Sequence, residues 1–393
     1  MLKNDLEKLI FEREKPLTCC LVLKDRGWIL EKFALRLAEN LPHWNVKAEI
    51  VTHPSSGVDL NHWMWYCDVD GEVYPHDTLF VTHVDRPTKY IVLKERLKKA
   101  ALGLCMSRMT MQDLVKLGIN HEKLCYVTPA HDGLMKPRRI VIGITSRLRT
   151  DKAKREDILL GAARMLRLDP FHFEIIGRGW EEVIIRLKEA GATVEYKPGT
   201  DNGIADYKIN IERVPKFDYY LYLGFDEGSM GFLDALAAGV PTIVTPQGFH
   251  LDVKDGITYS FENEEQLCSI FRTIASDRQK RIDSVSKLTW DEYARKHSLI
   301  WHAIITGQQN SLNEESGFES ISQKVEACGS RHPPNKMWYY FTNRKTFLND
   351  FTILLELYTG FKFWGSGPIL LLKKIKGIIL TRTSASNRRK SVT

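Results

Sequence analysis

Two acidic residues, Asp226 and Glu227, precede a glycine-bearing turn, and a third, Asp234, follows it on a predicted helix. A turn that opens a helix leaves backbone N–H groups unpaired at the positive end of the helix dipole, where a diphosphate can bind. Asp234 falls near the same helix face as the acids before it, so its carboxylate can accept hydrogen bonds from ribose hydroxyls. The spacing also fits an ordinary helix whose early acids complement the dipole. The residues of the turn are Gly228, Ser229, Met230 and Gly231.

Strands and helices alternate along both halves of the chain, and these elements must position the turn. The predicted strands are 18–23, 46–52, 78–82, 123–129, 139–145, 172–176, 219–223 and 241–245, and the predicted helices include 31–41, 109–117 and 155–166. Two such halves predict an α/β protein with two Rossmann-like domains facing a cleft. The predicted domains are residues 1–135 and 136–310.

The composition is that of a globular protein, with 43% hydrophobic and 27% charged residues. Seven cysteines form neither an even disulfide framework nor a C-x-x-C metal spacing. Reduced thiols, and an N-terminus without the pattern of a signal peptide, predict a cytoplasmic location. The net charge of +7 comes from the last 58 residues, and the rest of the chain carries about −2, which argues against a nucleic-acid partner.

Several motifs follow one another in a fixed order over about residues 105–300. They are Ser146-Arg-Leu-x-x-x-Lys152, Ile175-Ile-Gly-x-Gly179, the acidic turn with Ala-Leu-Ala-Ala-Gly-Val-Pro, and a segment from Pro246 to Gly256. In this order they resemble the retaining glycosyltransferases of the GT-B fold, family four, also called glycosyl transferases group 1. In the first half the resemblance rests on Gly27, His83, and Ser107 with Leu114-x-x-x-Gly118.

The resemblance implies a donor site in the second domain. Arg147 and Lys152 match the pair that neutralises the nucleotide diphosphate as it leaves, a role that suits a guanidinium fork and an ammonium group. The alternative for both cations is a solvated basic loop. Gly177 and Gly179 belong to the same implied donor-binding set. Asp234 matches the acid that binds the ribose hydroxyls.

The first acid of the family pattern has two candidates in this chain. The family carries Glu-x7-Glu, and its first glutamate contacts the donor sugar near the reacting carbon. Eight residues before Asp234 stands Asp226, whereas the glutamate followed by glycine is Glu227. Either Asp226 replaces the family glutamate, or Glu227 serves from a turn that is one residue shorter.

In the first domain the resemblance points to the end of the predicted strand 78–82. His83 matches a histidine that approaches the donor sugar, and Asp85 and Arg86 beside it can orient the imidazole or contact an acceptor. Gly27, which has no side chain, allows its loop to approach the substrates closely. The alternative for His83 is a histidine that simply ends a strand.

No metal or cofactor beyond the nucleotide-sugar substrate is predicted. Asp68-Val69-Asp70 has the Asp-x-Asp form of metal-dependent glycosyltransferases of another fold. Residues 66–74, however, fit a hairpin turn better, and the GT-B family does not use that motif.

The end of the chain predicts contact with a surface. Residues 311–335 are polar and form a predicted linker. Residues 336–393 carry eleven Lys or Arg against two acids, among aromatic and apolar residues whose runs are too short to span a bilayer. Such a segment favours an interfacial position on an anionic membrane, and a small helical subdomain packed on the body is the alternative.

Together these features predict a hexosyltransferase on the cytoplasmic face of a membrane. It would move a sugar from a nucleotide-sugar donor to a glycan or lipid-linked acceptor with retention, in cell-surface polysaccharide or lipopolysaccharide synthesis. In the mechanism that the resemblance implies, the leaving phosphate acts as the base. A sugar-nucleotide epimerase of the same fold and a non-catalytic glycan-binding scaffold are the alternatives.

Overall fold

The computed structural model of the protein describes residues 8, 10–11, 13–68, 70–149, 151–200, 203–309 and 312, with the backbone alone for 203–206. It divides into two compact units. One contains the described residues up to Gly133 together with those from Lys287 onward, and the other is Leu134–Ser286.

The first unit contains a six-stranded parallel sheet in the order β2-β1-β3-β4-β5-β6. Its strands are β1 Leu17–Val22, β2 Val46–Val51, β3 Leu60–Trp63, β4 Thr78–Val81, β5 Leu102–Cys105 and β6 Leu124–Tyr126. Its helices before residue 133 are α1 Ile29–Asn40, α2 Pro87–Leu97 and α3 Arg108–Lys116. The order 2-1-3-4-5 is that of flavodoxin-like doubly wound sheets.

The second unit contains another six-stranded parallel sheet, in the order β12-β11-β10-β7-β8-β9. Its strands are β7 Ile140–Ile144, β8 Phe171–Ile176, β9 Thr193–Lys197, β10 Tyr219–Tyr222, β11 Thr242–Val244 and β12 Tyr259–Ser260. Its helices are α4 Glu156–Met165, α5 Glu181–Glu189, α6 Gly203–Arg213, α7 Met230–Ala237 and α8 Glu264–Asp283. Counted from β7, this is the 3-2-1-4-5-6 order of dinucleotide-binding sheets, whose order reverses between β7 and β10.

Each sheet is covered by apolar side chains on both faces. In the second unit, one core contains Ile142, Phe173 and Phe271, and another contains Tyr220 and Phe232. A parallel sheet buried on both faces requires strands that are apolar throughout, which is why these strands are visible as continuous apolar runs in the sequence. The predicted α/β class with two Rossmann-like sheets is confirmed.

The chain returns to the first unit through helix α9, Trp290–Ile305. The ring of Trp290 lies 5.2 Å from that of Phe33 in an edge-to-face contact, and Trp301 Nε1 donates to Thr78 Oγ1 at 3.1 Å. The predicted second domain, which extended to residue 310, therefore differs from the structure. Its last helix buries its aromatic side chains among α1 and the strands of the first sheet.

The predicted hairpin over residues 66–74 is wrong. Strands β3 and β4 are parallel, with His62 opposite Thr78 and Trp63 opposite Leu79, so the segment between them is a connection and not a two-stranded turn. Lys24 Nζ lies 2.8 Å from Asp68 Oδ1 and 2.9 Å from Asp70 Oδ2. An ammonium group thus pairs with both carboxylates of the Asp-x-Asp sequence.

The predicted linker and basic tail, 311–335 and 336–393, lie outside the described residues apart from Leu312. Of the helices in the described part of the chain, none combines the length and the apolar character needed to cross a bilayer. Membrane contact through the tail stays a prediction.

Ser107, one of the residues behind the family resemblance, is the N-cap of α3. Its Oγ accepts a hydrogen bond from Thr110 N at 3.1 Å. We expect Ser107→Ala to lower the free energy of unfolding by about 1 kcal/mol, because the helix loses this bond, whereas Ser107→Asp should preserve it. Urea denaturation of the two variants measures the difference, and equal midpoints would contradict the capping role.

Candidate functional site

The loops after β7 and β10 meet through a polar cluster of Lys154, Tyr222 and Asp226. Lys154 Nζ lies 2.6 Å from Asp226 Oδ2 and 2.6 Å from the hydroxyl of Tyr222. The Tyr222 hydroxyl in turn donates to Asp226 Oδ1, and the ammonium group lies 4.8 Å from the centre of the Tyr222 ring. The lysine side chain is 14% exposed and that of the aspartate 32%. The cluster therefore joins the two loops that flank the reversal of strand order, where doubly wound sheets bind their ligands.

The charges in this cluster are well defined. Desolvation acts to raise the pKa of Asp226, but the hydrogen bonds from Lys154 and Tyr222 outweigh it, so the pKa lies below its usual range. Burial, then the neighbouring Asp226 carboxylate, raises the pKa of Tyr222. Asp226 is thus an anion, Tyr222 a neutral hydroxyl and Lys154 their shared donor.

The two candidate acids differ in what they contact. Both oxygens of Asp226 are engaged, since Oδ1 also accepts from Gly228 N at 3.3 Å. Glu227 is exposed, and within the described ranges its carboxylate has no hydrogen-bond or ion-pair partner. The backbone carbonyl of Glu227 accepts from Phe249 N at 3.1 Å. Asp226 therefore connects the loops after β7 and β10, whereas the carboxylate of Glu227 is exposed and available to a ligand.

Helix α7 begins at Met230, as the acidic turn predicted, with Ser229 as its N-cap. The Ser229 hydroxyl lies 2.7 Å from that of Tyr220. Asp234 lies half-buried in the second turn of this helix. Burial raises the pKa of Tyr220 to about 12, and the negative charge of Asp234 adds to this effect. The side chain of Asp234 is thus placed near the buried face of α7, while Met230 is exposed at the helix start.

His250 holds the start of α7, and sequence reasoning missed it. Its Nε2 accepts from Ser229 N at 3.0 Å, and its Nδ1 lies 3.2 Å from the carbonyl oxygen of Thr245, to which it can donate. The ring is fully buried, and desolvation lowers its pKa. A neutral imidazole therefore connects the loop after β11 to α7. Its position inside the Pro246–Gly256 motif was the available signal.

The predicted donor-binding glycines have a packing role in this structure. Gly177 has φ +135°, and a Cβ there would lie 2.3 Å from the carbonyl oxygen of Ser146. A Cβ on Gly179 would lie 3.1 Å from Leu148 Cβ. These two glycines allow the loop after β8 to approach the loop after β7, and Leu148 N donates to Arg178 O at 2.8 Å across them.

The turn glycines are similarly enclosed. A Cβ on Gly231 would lie 2.1 Å from Thr145 Oγ1, and one on Gly228 would lie 2.8 Å from the ring of Phe249. Both glycines therefore allow protein atoms to approach, in addition to any ligand. Their spacing in the sequence is explained by close packing of α7 against β7 and the loop after β11.

A hollow of about 670 Å³ opens beside the polar cluster, among residues that follow β7, β10, β11 and β12. It is lined by Lys152, Ala153, Arg155, Phe225, Thr245, Pro246, Gln247 and Glu262. Phe225 is 70% exposed, and its position is fixed by a 2.8 Å hydrogen bond from its backbone N to Ala153 O. The guanidinium of Arg155 lies 5.7 Å from the centre of the Phe225 ring and donates to Glu262 O.

The two predicted diphosphate cations occupy different places. Lys152 lines the hollow and is exposed, with a left-handed φ of +55°. Arg147 is exposed in the same loop but is not among the lining residues. In the described part of the chain neither side chain has a carboxylate partner. The charges of both are therefore available to an anionic ligand.

In the first unit, His83 follows β4 and is 69% exposed. Lys89 on α2 was not predicted, yet its Nζ lies 2.9 Å from His83 Nε2 and 2.6 Å from Asp85 Oδ1. Arg86 is the N-cap of α2, with Nε 3.8 Å from Asp85 Oδ1. Gly27, in the loop after β1, donates from its N to Glu31 Oε2 at 2.7 Å. The structure thus joins His83 and Asp85 through a lysine that sequence reasoning passed over.

Among the described residues, no group of three or more His, Cys, Asp or Glu side chains is arranged to hold a metal ion. The six described cysteines are buried thiols.

No protein-family model and no curated protein matches the chain. Among solved structures, HepE of Anabaena in complex with UDP is similar at 14% identity and a TM-score of 0.27, covering 75% of this chain and 98% of its own. The lipopolysaccharide outer core galactosyltransferase WaaB is similar at 12% identity and a TM-score of 0.27, covering 76% and 99%. The Moco carrier protein of Chlamydomonas reinhardtii is similar at 15% identity and a TM-score of 0.29, covering 36% of this chain and 99% of its own. Likenesses this distant carry no argument about activity, so the two Rossmann-like sheets are established by this chain's own strand orders and parallel pairing.

Proposed function

We propose that the protein is a retaining glycosyltransferase. It would move a hexosyl group from a nucleotide-sugar donor to a membrane-held glycan or lipid-linked acceptor, in cell-surface polysaccharide or lipopolysaccharide synthesis at the cytoplasmic face. The observation that carries the proposal is the hollow of about 670 Å³ lined by Lys152. It lies at the carboxyl ends of a sheet with the dinucleotide-binding strand order, beside the polar cluster at the reversal of that order.

The residues around this hollow suit the chemistry of the donor. When the bond from the anomeric carbon to the diphosphate breaks, negative charge grows on the phosphate oxygens. Lys152 at the hollow, and Arg147 from the same loop but outside the lining, would stabilise that charge, since no protein carboxylate competes for them among the described residues. These two cations take the place that a metal would otherwise fill, so the proposal includes no metal cofactor.

The acids divide the remaining roles. Asp234 would accept hydrogen bonds from the ribose hydroxyls, and the free carboxylate of Glu227 would bind hydroxyls of the donor sugar. Asp226 would act only through Lys154, by holding the loops after β7 and β10 together. The leaving phosphate would take the proton of the acceptor hydroxyl as that oxygen bonds to the anomeric carbon on the same face, so no protein base is required.

Thermal unfolding with a panel of UDP, GDP, ADP and dTDP and their glucose conjugates tests the donor site. A diphosphate at 100 times its Kd should stabilise the protein by about 2.7 kcal/mol. Lys152→Gln should remove most of the shift, and the exposed Lys188→Gln on α5 is the matched control that should retain it. If no member of the panel stabilises the wild type, the proposal fails.

Lys152 combines a binding role with an unfavourable backbone, and this gives a second prediction. Glycine has no steric penalty at φ +55°, so we expect Lys152→Gly to leave the unfolding free energy unchanged or raise it by up to about 1 kcal/mol. The same variant should weaken UDP binding at least tenfold, measured by calorimetry. Asp255→Gly, at φ +58° in an exposed loop, is the control. It should change the unfolding free energy by a similar amount and leave UDP binding unchanged.

A further inference from the structure

A buried lysine contacts the imidazole of His83. Lys89 is 5% exposed, and its ammonium group lies between His83 Nε2 at 2.9 Å and Asp85 Oδ1 at 2.6 Å. The backbone at His83 is also fixed, because the hydroxyl of buried Tyr66 donates to its carbonyl oxygen at 2.7 Å. Two buried residues therefore fix this exposed histidine: Lys89 contacts its ring nitrogen and Tyr66 its main chain.

The donor and acceptor chemistry of this contact permits one arrangement. An ammonium group has no lone pair, so in its contact with Lys89 the Nε2 atom must be the acceptor and carry no proton. A neutral imidazole then has its proton on Nδ1. The charged groups around the ring are Lys89, Asp85 and Arg86, and desolvation followed by the Lys89 charge lowers the pKa of His83.

We propose that Lys89 is a positioning residue that fixes His83 as a neutral Nδ1–H donor to a carbohydrate oxygen. The choice of a carbohydrate as ligand rests on the proposed function, whereas the control of the imidazole by Lys89 does not. With Nε2 occupied and Nδ1 protonated, His83 has no lone pair for a base. Its predicted catalytic role thus becomes a binding role, consistent with a mechanism in which the leaving phosphate takes the proton.

The alternative explanation is that Lys89 only forms an ion pair with Asp85, which precedes it by four residues. In that case the tautomer of His83 would not depend on the lysine. The two explanations therefore differ in a property of the imidazole that can be measured directly.

Long-range ¹H–¹⁵N correlation spectra of the full-length protein, labelled on histidine, measure this tautomer and its pKa. His83→Asn identifies the signal. The wild type should show the Nδ1–H form with a pKa below the usual value for histidine, and Lys89→Met should shift the ring towards Nε2–H and raise its pKa. Lys94→Met, an exposed lysine on the same helix, should change neither. An Nε2–H ring in the wild type, or an unchanged ring in Lys89→Met, would overturn the proposal, and the wild-type tautomer decides alone if Lys89→Met does not fold.

Steady-state kinetics of His83 variants test the carbohydrate contact separately from the positioning of His83 by Lys89. An asparagine amide can replace Nδ1–H, whereas a glutamine amide reaches towards the Nε2 position. We therefore expect His83→Asn to keep KM for the nucleotide-sugar donor within about threefold, and His83→Gln to raise it about tenfold. Equal KM values would remove the carbohydrate contact but leave the tautomer result standing. Absence of any nucleotide-diphosphate shift would instead reject the proposed function while the spectra still test Lys89.

Discussion

Replacing Asp226 by alanine should lower the free energy of unfolding by about 2 kcal/mol, whereas Glu227→Ala should change it by less than about 0.5 kcal/mol. Asp226→Ala leaves the mostly buried ammonium group of Lys154 without its carboxylate and the hydroxyl of Tyr222 without its acceptor. The expected loss is smaller than for a fully buried pair, because the Asp226 side chain is 32% exposed and partly screened by water. Glu227 is exposed and unpaired among the described residues, so its removal should not affect folding.

Urea denaturation measures both variants, and a double variant identifies the cause. Lys154→Met with Asp226→Leu removes both charges together, so most of the lost stability should return. A value for Asp226→Ala within about 0.5 kcal/mol of the wild type would show that the cluster does not hold the loops.

Glu227→Ala and the double variant also separate the roles of Glu227 and Asp226 in turnover. Glu227→Ala should reduce transfer of the sugar about 100-fold at unchanged stability, since it removes a contact to the reacting sugar. The double variant Lys154→Met with Asp226→Leu should recover folding and most of the activity. If Glu227→Ala retains full activity while the stable double variant loses it, Asp226 is the acid that contacts the sugar.

The strands were the most predictable part of the fold. All eight predicted strands begin within one residue of the observed ones, because parallel strands covered on both faces must be apolar throughout. Four described strands were not predicted: β3, β5, β9 and β12. Strand β3 was missed because its centre is Asn61-His62. These polar side chains are buried only because Asp77 Oδ1 accepts from Asn61 and Thr78 Oγ1 lies 2.8 Å from His62 Nδ1. These partners lie 16 residues further along the chain, just before and at the start of β4, so the sequence around β3 does not reveal them.

The placement of α9 could not be read from the chain order. Its pattern fits an amphipathic helix that could cover either sheet, and sequence proximity favours the second. The structure places it on the first unit, where Trp290 and Tyr293 pack edge-to-face on Phe33. Which sheet α9 covers depends on how aromatic rings from distant segments of the chain fit together. The periodicity of the α9 sequence does not predict that fit.

In the site, the turn and the start of α7 were predictable from glycines and acids, and Lys152 was predicted from the motif that begins at Ser146, whereas the contact of Lys154 with Asp226 was not. Five basic residues lie between 147 and 155, and their sequence context does not identify which of them pairs with Asp226. Only the loop geometry brings Lys154 to Asp226 and leaves Lys152 at the hollow. Lys89 escaped notice for the same reason, since it lies at an ordinary position in the first turn of a helix.

Acid is expected to destabilise the first unit through its buried histidines. His297 on α9 is fully buried, with Nδ1 2.8 Å from the carbonyl oxygen of Tyr293, and in the described chain its Nε2 has no partner. Desolvation lowers its pKa to about 4. His62, whose ring centre is 5.4 Å away, also has a pKa well below its usual range, first from burial and then from His297.

The sign of the effect follows from where the protons bind. Between pH 6.5 and 4 the unfolded chain protonates these histidines and the folded protein does not, so the unfolding free energy falls as the pH falls. For His297 alone, a pKa of about 4 against 6.5 gives a loss of about 2 kcal/mol between pH 7 and 5, and of about 3 kcal/mol below pH 4. His62 adds to this loss over the same range.

Urea denaturation at pH 7 and pH 5 measures the prediction, and a leucine at position 297 isolates the source. His297→Leu should be less stable than the wild type at pH 7, because the hydrogen bond to Tyr293 O is lost. Its stability should nevertheless fall by about 2 kcal/mol less than that of the wild type on going to pH 5. The exposed His43→Gln is the control that should keep the wild-type slope. Equal slopes in His297→Leu and the wild type would mean that the buried ring takes up a proton as readily in the folded protein as in the unfolded chain.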